Sequence, residues 1–133
     1  MEENSTHRQI IFKEFCEALR IMEKAFLGVK TLNNDELFKL LRQYEQLFFL
    51  AVKVMNAYVT EEGYSDKLSI KPVIEQMSRY GLIELKVWKE MNKMRDKYFK
   101  VTDRTLLKEF LNKINDQYLP VMIEFETKVN EPK

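Results

Sequence analysis

One histidine and one cysteine, His7 and Cys16, bound the chemistry open to this 133-residue chain. They cannot form an intrachain disulfide or a Cys/His zinc constellation. A Ser-His or Cys-His nucleophile pair has to draw on His7, which sits in the polar start MEENSTHRQ. A solvated terminal imidazole is the plainer role for such a residue. Cys16 follows Phe15 and precedes Leu19 by three positions, which suits a small side chain near a packing face. No Walker loop, H-E-x-x-H or Ca²⁺ loop occurs, so neither a metal nor a cofactor is expected.

Two charges sit where helical periodicity asks for apolar side chains. Glu45 interrupts the series Phe38, Leu41, Phe48, Val52, Met55, Val59, and Arg95 interrupts Leu85, Trp88, Met91, Tyr98. An unpaired buried charge is very costly, so a Glu45–Arg95 pair across two helices resolves both. Alternatively, either side chain reaches water from the end of its seam, and a buried ion pair is not in itself a site. Around Arg95 runs KVWKEMNKMRDKYFK, residues 86–100, where Lys86, Lys89, Lys93, Arg95, Lys97 and Lys100 outnumber Glu90 and Asp96. Trp88, Tyr98 and Phe99 lie between them. Cations among aromatics suit phosphate binding and base stacking, although periodicity alone favours aromatics facing a core and lysines facing solvent.

The elements that must position these residues are helical. Phe12, Phe15, Leu19, Met22, Phe26 and Val29 recur at steps of three and four, predicting a helix from about Ser5 to Val29 that Gly28 and the stretch Thr31–Asn34 end. A second helix begins with Asn34 or its neighbour as N-cap and runs to about Glu62, where Gly63 stops it. It carries two seams, one through Leu37, Leu40, Tyr44, Leu47, Ala51, Val54 and Tyr58, the other through Glu45. So wide an apolar arc marks a central helix. A polar connection from Tyr64 to Leu68 leads to a short helix over Ser69–Tyr80, closed by Gly81. A fourth helix spans about Ile83–Phe99. A fifth runs from Asp103 to Val129, kinked where Pro120 lacks a donor for the carbonyl of Asp116.

Four long helices and one short one with short connections predict an all-α, antiparallel up-and-down bundle forming one domain over residues 1–133. At this length a chain buries roughly two thirds of the surface it exposes unfolded. Three glycines exclude a sheet fold rich in tight turns, and a net charge of +1 supplies no global field for nucleic acid or an acidic membrane. Neither a signal peptide nor the ~20-residue apolar run of a membrane helix is present, so a cytoplasmic chain without membrane contact is expected.

From the second helix to the start of the fourth, the chain resembles the nucleotidyltransferase substrate-binding protein family, a branch of the HEPN superfamily. The stretch YEQLFFLAVKVMNAYVTEEG, residues 44–63, is similar to that family's long central helix with its aromatic-Glu and its Lys, here Tyr44-Glu45 and Lys53. SIKPVIEQMSRYGLI, residues 69–83, is similar to its short helix, and Trp88, Glu90-Met91 and Arg95 match its Trp, Glu-Met and Arg. Tyr118-Leu119-Pro120 matches a Tyr-Leu-Pro in its last helix.

The resemblance implies an antiparallel bundle that forms a homodimer and partners a small nucleotidyltransferase in a toxin–antitoxin-type pair. It implies a nucleotide or RNA ligand, or the partner, held near Lys53, Trp88, Arg95, Asp96 and Lys100. Some HEPN relatives are metal-independent ribonucleases whose motif is an Arg, a polar residue, and a His four to six positions after the Arg. Arg95-Asp96 matches its beginning, but no histidine lies between Tyr98 and Asp103, and the family Tyr position holds Thr102. An imidazole shuttles protons near neutral pH, whereas an exposed lysine side chain has a reference pKa of ~10.4, so Lys100 suits holding a phosphate and makes a poor general base. A non-catalytic protein is therefore expected. The rivals are a weak ribonuclease using Arg95 with Lys97 or Lys100, and a purely structural self-associating bundle. A further argument for dimerisation is apolar supply, since Phe48, Phe49 and Trp88 are hard to cover within so short a chain.

Overall fold

The computed structural model describes residues 7–27, 33–63, 68–100 and 103–130, with Phe99 described for its backbone alone. Over these residues the chain is helical and contains no strand: α1 (His7–Leu27), α2 (Asn34–Glu61), α3 (Ile70–Arg79), α4 (Leu85–Phe99), α5 (Arg104–Lys113) and α6 (Leu119–Asn130), with a wide π turn at Ile114–Tyr118 joining the last two. The expected helix residues Ser5, Thr6 and Val29, the stop at Gly28, Thr31 and Leu32, and connection residues 64–67 lie outside the described residues.

Each start and stop has a local cause. Asn33 caps α2: its Oδ1 accepts from the Glu36 N–H at 2.9 Å, while Glu36 Oε1 accepts from the Asn33 N–H at 3.0 Å. This reciprocal box satisfies two donors that a helix start leaves free. Asp103 caps α5 by accepting from Thr105 and Leu106. Ser69 precedes α3 without a side-chain cap bond. Gly63 and Gly81 follow α2 and α3 with φ of +118° and +78°, a region that glycine enters without the steric cost of a Cβ.

α2 is central along part of its length. Its first seam is buried throughout, from Leu37 to Tyr58. The second is buried at Phe48, Val52, Met55 and Val59, but Phe38 is exposed and Leu41 and Glu45 are half-buried. The covered half lies where α3 and the segment before it close over α2. There the buried Asn56 amide clasps Leu68, donating to its carbonyl at 3.0 Å and accepting from its N–H at 2.8 Å.

Four helices meet through a row of rings. Phe15 of α1 lies 5.7 Å from Phe125 of α6, Phe125 lies 5.3 Å from Trp88 of α4, and Trp88 lies 6.2 Å from Phe48 of α2. This row corrects the expectation that Phe48 and Trp88 would lack internal cover. They are 0% and 1% exposed, because they pack on one another and Phe125 of α6 closes over Trp88, and only Phe49 keeps 39%. Helix ends are tied by Arg8 of α1 to Glu61 of α2 at 2.8 Å, by Arg20 of α1 to Glu126 of α6, and by Arg104 of α5 to Asn34 of α2.

The C-terminal segment also departs from expectation. In place of one helix kinked at Pro120 there are two helices separated by the π turn. The Leu119 N–H bonds to the carbonyl of Ile114, five residues back. The missing proline N–H leaves the ladder disturbed at Asp116, and the widened turn stands immediately before the ring.

Candidate functional site

On the outward face of α4, Lys89, Asn92, Lys93 and Asp96 fall at steps of three, one and three and so share one stripe. Across from them α3 brings Lys71 and Ile74. Together with Arg95 these residues line a cleft of about 420 Å³. Four cations face one carboxylate there. Lys89 leans toward Glu75 at 3.9 Å, while Lys71 and Lys93 have no ion pair among the described residues.

Arg95 forms the inner edge. Its Nη2 donates to Asn92 Oδ1 at 3.1 Å, and its Nη1 stands 4.0 Å from Glu45 Oε2. The guanidinium lies over the rings of Phe48 and Phe49, 5.3 and 4.9 Å from their centroids. Arg95 and Glu45 keep 15% and 21% of their side-chain surface, so the pair borders solvent and is loose. Arg95 Nε is buried with no hydrogen-bond partner among the described residues, and so is the hydroxyl of Tyr44. Burial, then neighbouring Tyr118, pushes the Tyr44 phenol well above its ordinary value, opposed by the Arg95 charge. Arg95 is thus held by aromatic faces and one amide, with donor capacity left over.

On another face of α4, Glu90 accepts from the Tyr118 hydroxyl at 2.6 Å and approaches Lys113 Nζ at 3.3 Å. The Tyr118 bond holds the Glu90 carboxyl below its usual range. Burial, with that bond second, pushes Tyr118 up. This cluster is satisfied internally and fastens α4 to the π turn.

The expected site residues separate. Arg95 and Asp96 line the cleft. Trp88 does not, because it is 1% exposed between Phe48 and Phe125. It packs the core and cannot touch a ligand. Lys53 belongs elsewhere, lining a groove of about 660 Å³ between α1 and α2 with His7, Arg8, Glu14 and Glu61. Eight residues from Glu45 on α2, it is turned roughly 80° away from Arg95. Lys97, whose Nζ lies 5.3 Å from the Tyr98 ring centroid, and Lys100, the exposed C-cap of α4, do not line the cleft. His7 is an exposed first helical residue. Cys16 is half-buried against the core, and burial followed by its bond to Glu126 pushes its thiol up to about 12. The basic run hid the useful subset, Lys89, Asn92 and Lys93, whose helical spacing could have isolated it. Lys71 carries no local signal, since only packing brings α3 beside α4.

A family model described as "Nucleotidyltransferase substrate binding protein like" matches residues 11–131, and the chain belongs to this family. No curated protein matches it. Among the described residues no helix is long and apolar enough to cross a membrane, and no group of three or more His, Cys, Asp or Glu is placed to hold a metal ion.

Proposed function

With that membership as the premise, we propose that the protein is a non-catalytic, HEPN-type, dimeric partner of a small nucleotidyltransferase, in a pair of toxin–antitoxin type. Its α3/α4 cleft takes a phosphate-bearing ligand, a nucleotide or the end of an RNA. The chain then forms one domain over residues 1–133, an antiparallel up-and-down bundle. That topology is supported by the tie between the start of α1 and the end of α2 through Arg8 and Glu61.

The observation that carries the proposal is the charge excess in the cleft, with Lys71, Lys89, Lys93 and Arg95 against Asp96. Fixed cations at one concave place attract phosphate oxygens, and a guanidinium with free donors gives them direction. None of these residues is an imidazole, the group that both takes and returns a proton near neutral pH in the ribonuclease motif. Binding without cleavage follows.

Titration calorimetry with ATP, wild type against Lys93→Ala and Arg95→Ala, tests the cleft. Each substitution is expected to weaken binding at least about tenfold, more at low salt than at high. ATP affinity unchanged in both variants would remove the ligand role. Metal-free incubation with RNA should give no Arg95-dependent cleavage, and its appearance would make the protein a ribonuclease. Co-purification with a small nucleotidyltransferase encoded beside it tests the partnership. If binding, cleavage and partner are all missing, the purely structural role takes over.

A further inference from the structure

Away from the cleft, the outer face of α2 carries a palindrome. Phe38, Arg42, Glu45 and Phe49 are separated by four, three and four residues, which keeps them on one stripe of the helix. Phe38 and Phe49 are 37% and 39% exposed, although their neighbours Leu37, Leu40, Tyr44 and Phe48 are buried. Arg42 is exposed and makes no ion pair or hydrogen bond among the described residues. Glu45 has only the loose approach to Arg95 at 4.0 Å. Two half-open phenylalanines thus bracket one unused positive and one underused negative charge.

We infer that this stripe is a self-recognition face, on which two copies pack their α2 helices antiparallel about a two-fold axis passing between Gln43 and Tyr44. On that axis Phe38 meets the partner's Phe49 and Arg42 meets the partner's Glu45, each contact occurring twice. A helix rises 1.5 Å per residue, so the two phenylalanine contacts stand about 16 Å apart with both ion pairs between them. Asp35 falls within one residue of the partner's Lys53 on the same flank, which gives Lys53 a counter-charge outside the cleft. Parallel packing of the same stripe is excluded by its own charges, because it sets Arg42 on the partner's Arg42 and Glu45 on the partner's Glu45. A second copy is the occupant because two-fold symmetry reverses the order of the pattern, and this pattern read in reverse is its own complement. The face deepens the dimeric part of the proposal above and is independent of its ligand.

The test is sedimentation velocity on the full chain. Wild type should run as twice the 16.0 kDa of one copy. Arg42→Glu opposes carboxylates twice across the axis, and Glu45→Arg opposes guanidiniums. Each alone should weaken the dimer at least about tenfold, and mixing the two should restore it, since a mixed pair has opposite charges at both positions. Phe38→Glu, on an exposed position with no charge partner to lose, should weaken it as well. A wild-type dimer indifferent to Arg42→Glu and Phe38→Glu, or a mixture no more dimeric than its components, overturns this face while leaving the dimer intact. A wild-type monomer at about 100 µM overturns both the face and the dimeric part of the proposed function.

Discussion

The two sides of α2 answer their charges differently. Toward α1 and α6, the two arginines are matched. Arg8 donates to Glu61 at 2.8 Å and to the Val129 carbonyl at 3.2 Å, with its guanidinium 4.7 Å from the Tyr58 centroid. Arg20 bonds both Glu23 and Glu126. Toward α3 and α4, four cations share a cleft with one carboxylate, and the Arg95 Nε is left without a partner among the described residues. The matched side has the larger hollow, about 660 Å³ against about 420 Å³. In the proposed reading the cleft is marked by the unpaired charges of Lys71 and Lys93 and not by its volume, because a charge with no protein partner keeps its affinity for an outside one.

The contrast can be tested most forcefully at Trp88, where α4 faces inward. Trp88→Ala should cost about 3–5 kcal/mol in urea unfolding, through the cavity it leaves among Phe48 and Phe125. Trp88→Phe should keep ATP binding at the wild-type level, and a loss there would mean that the core and cleft faces of α4 are not independent. Cys16 probes the matched side. Its thiol ordinarily titrates near 9.0 and is pushed up to about 12 by burial and then by Glu126. The folded state thus favours the protonated form, a contribution complete below pH 9.0 and lost as pH rises from there toward about 12. Iodoacetamide labelling at pH 8 should run about a thousandfold slower in the folded chain than in urea, following the thiolate fraction. Equal rates would show that this side is open. The smallest effect is expected at Arg8, part of an exposed pair. Arg8→Ala should cost no more than about 1 kcal/mol and leave ATP affinity unchanged. A drop in affinity comparable to that of Arg95→Ala would erase the distinction between the two sides.

Much of the helical framework was legible in the sequence because it rests on local chemistry. Steps of three and four marked each helix, and Asn33 with Glu36, Gly63 and Gly81 mark where two of them begin and end. The site was less legible because it depends on which way a helix faces. Lys53 matches a family position in linear order, yet its place on α2 turns it toward α1. Trp88 has the same kind of match, but the rings that flank it, Phe48 and Phe125, come from two other helices. Lys71 lies far from Arg95 in the chain, and only the packing of α3 on α4 brings them together. Pro120 announced a disturbed ladder without saying which turn would absorb it.

The π turn at Ile114–Tyr118 also has a bearing on insertions and deletions. A wide turn spends one residue more than a regular one, and a residue of α-helix is worth about 100° of rotation. It therefore takes up one extra residue between the stripe of α5 that faces Tyr44 and the stripe of α6 that faces Phe15 without rotating one against the other. Removing a single residue from this turn would let the ladder close into ordinary α-helix. Phe125 and Val129 would then keep their places in the core, although the chain is one residue shorter. Here the last helix tolerates a change in residue count that, within a regular α-helix, would turn its apolar stripe about 100° out of the core.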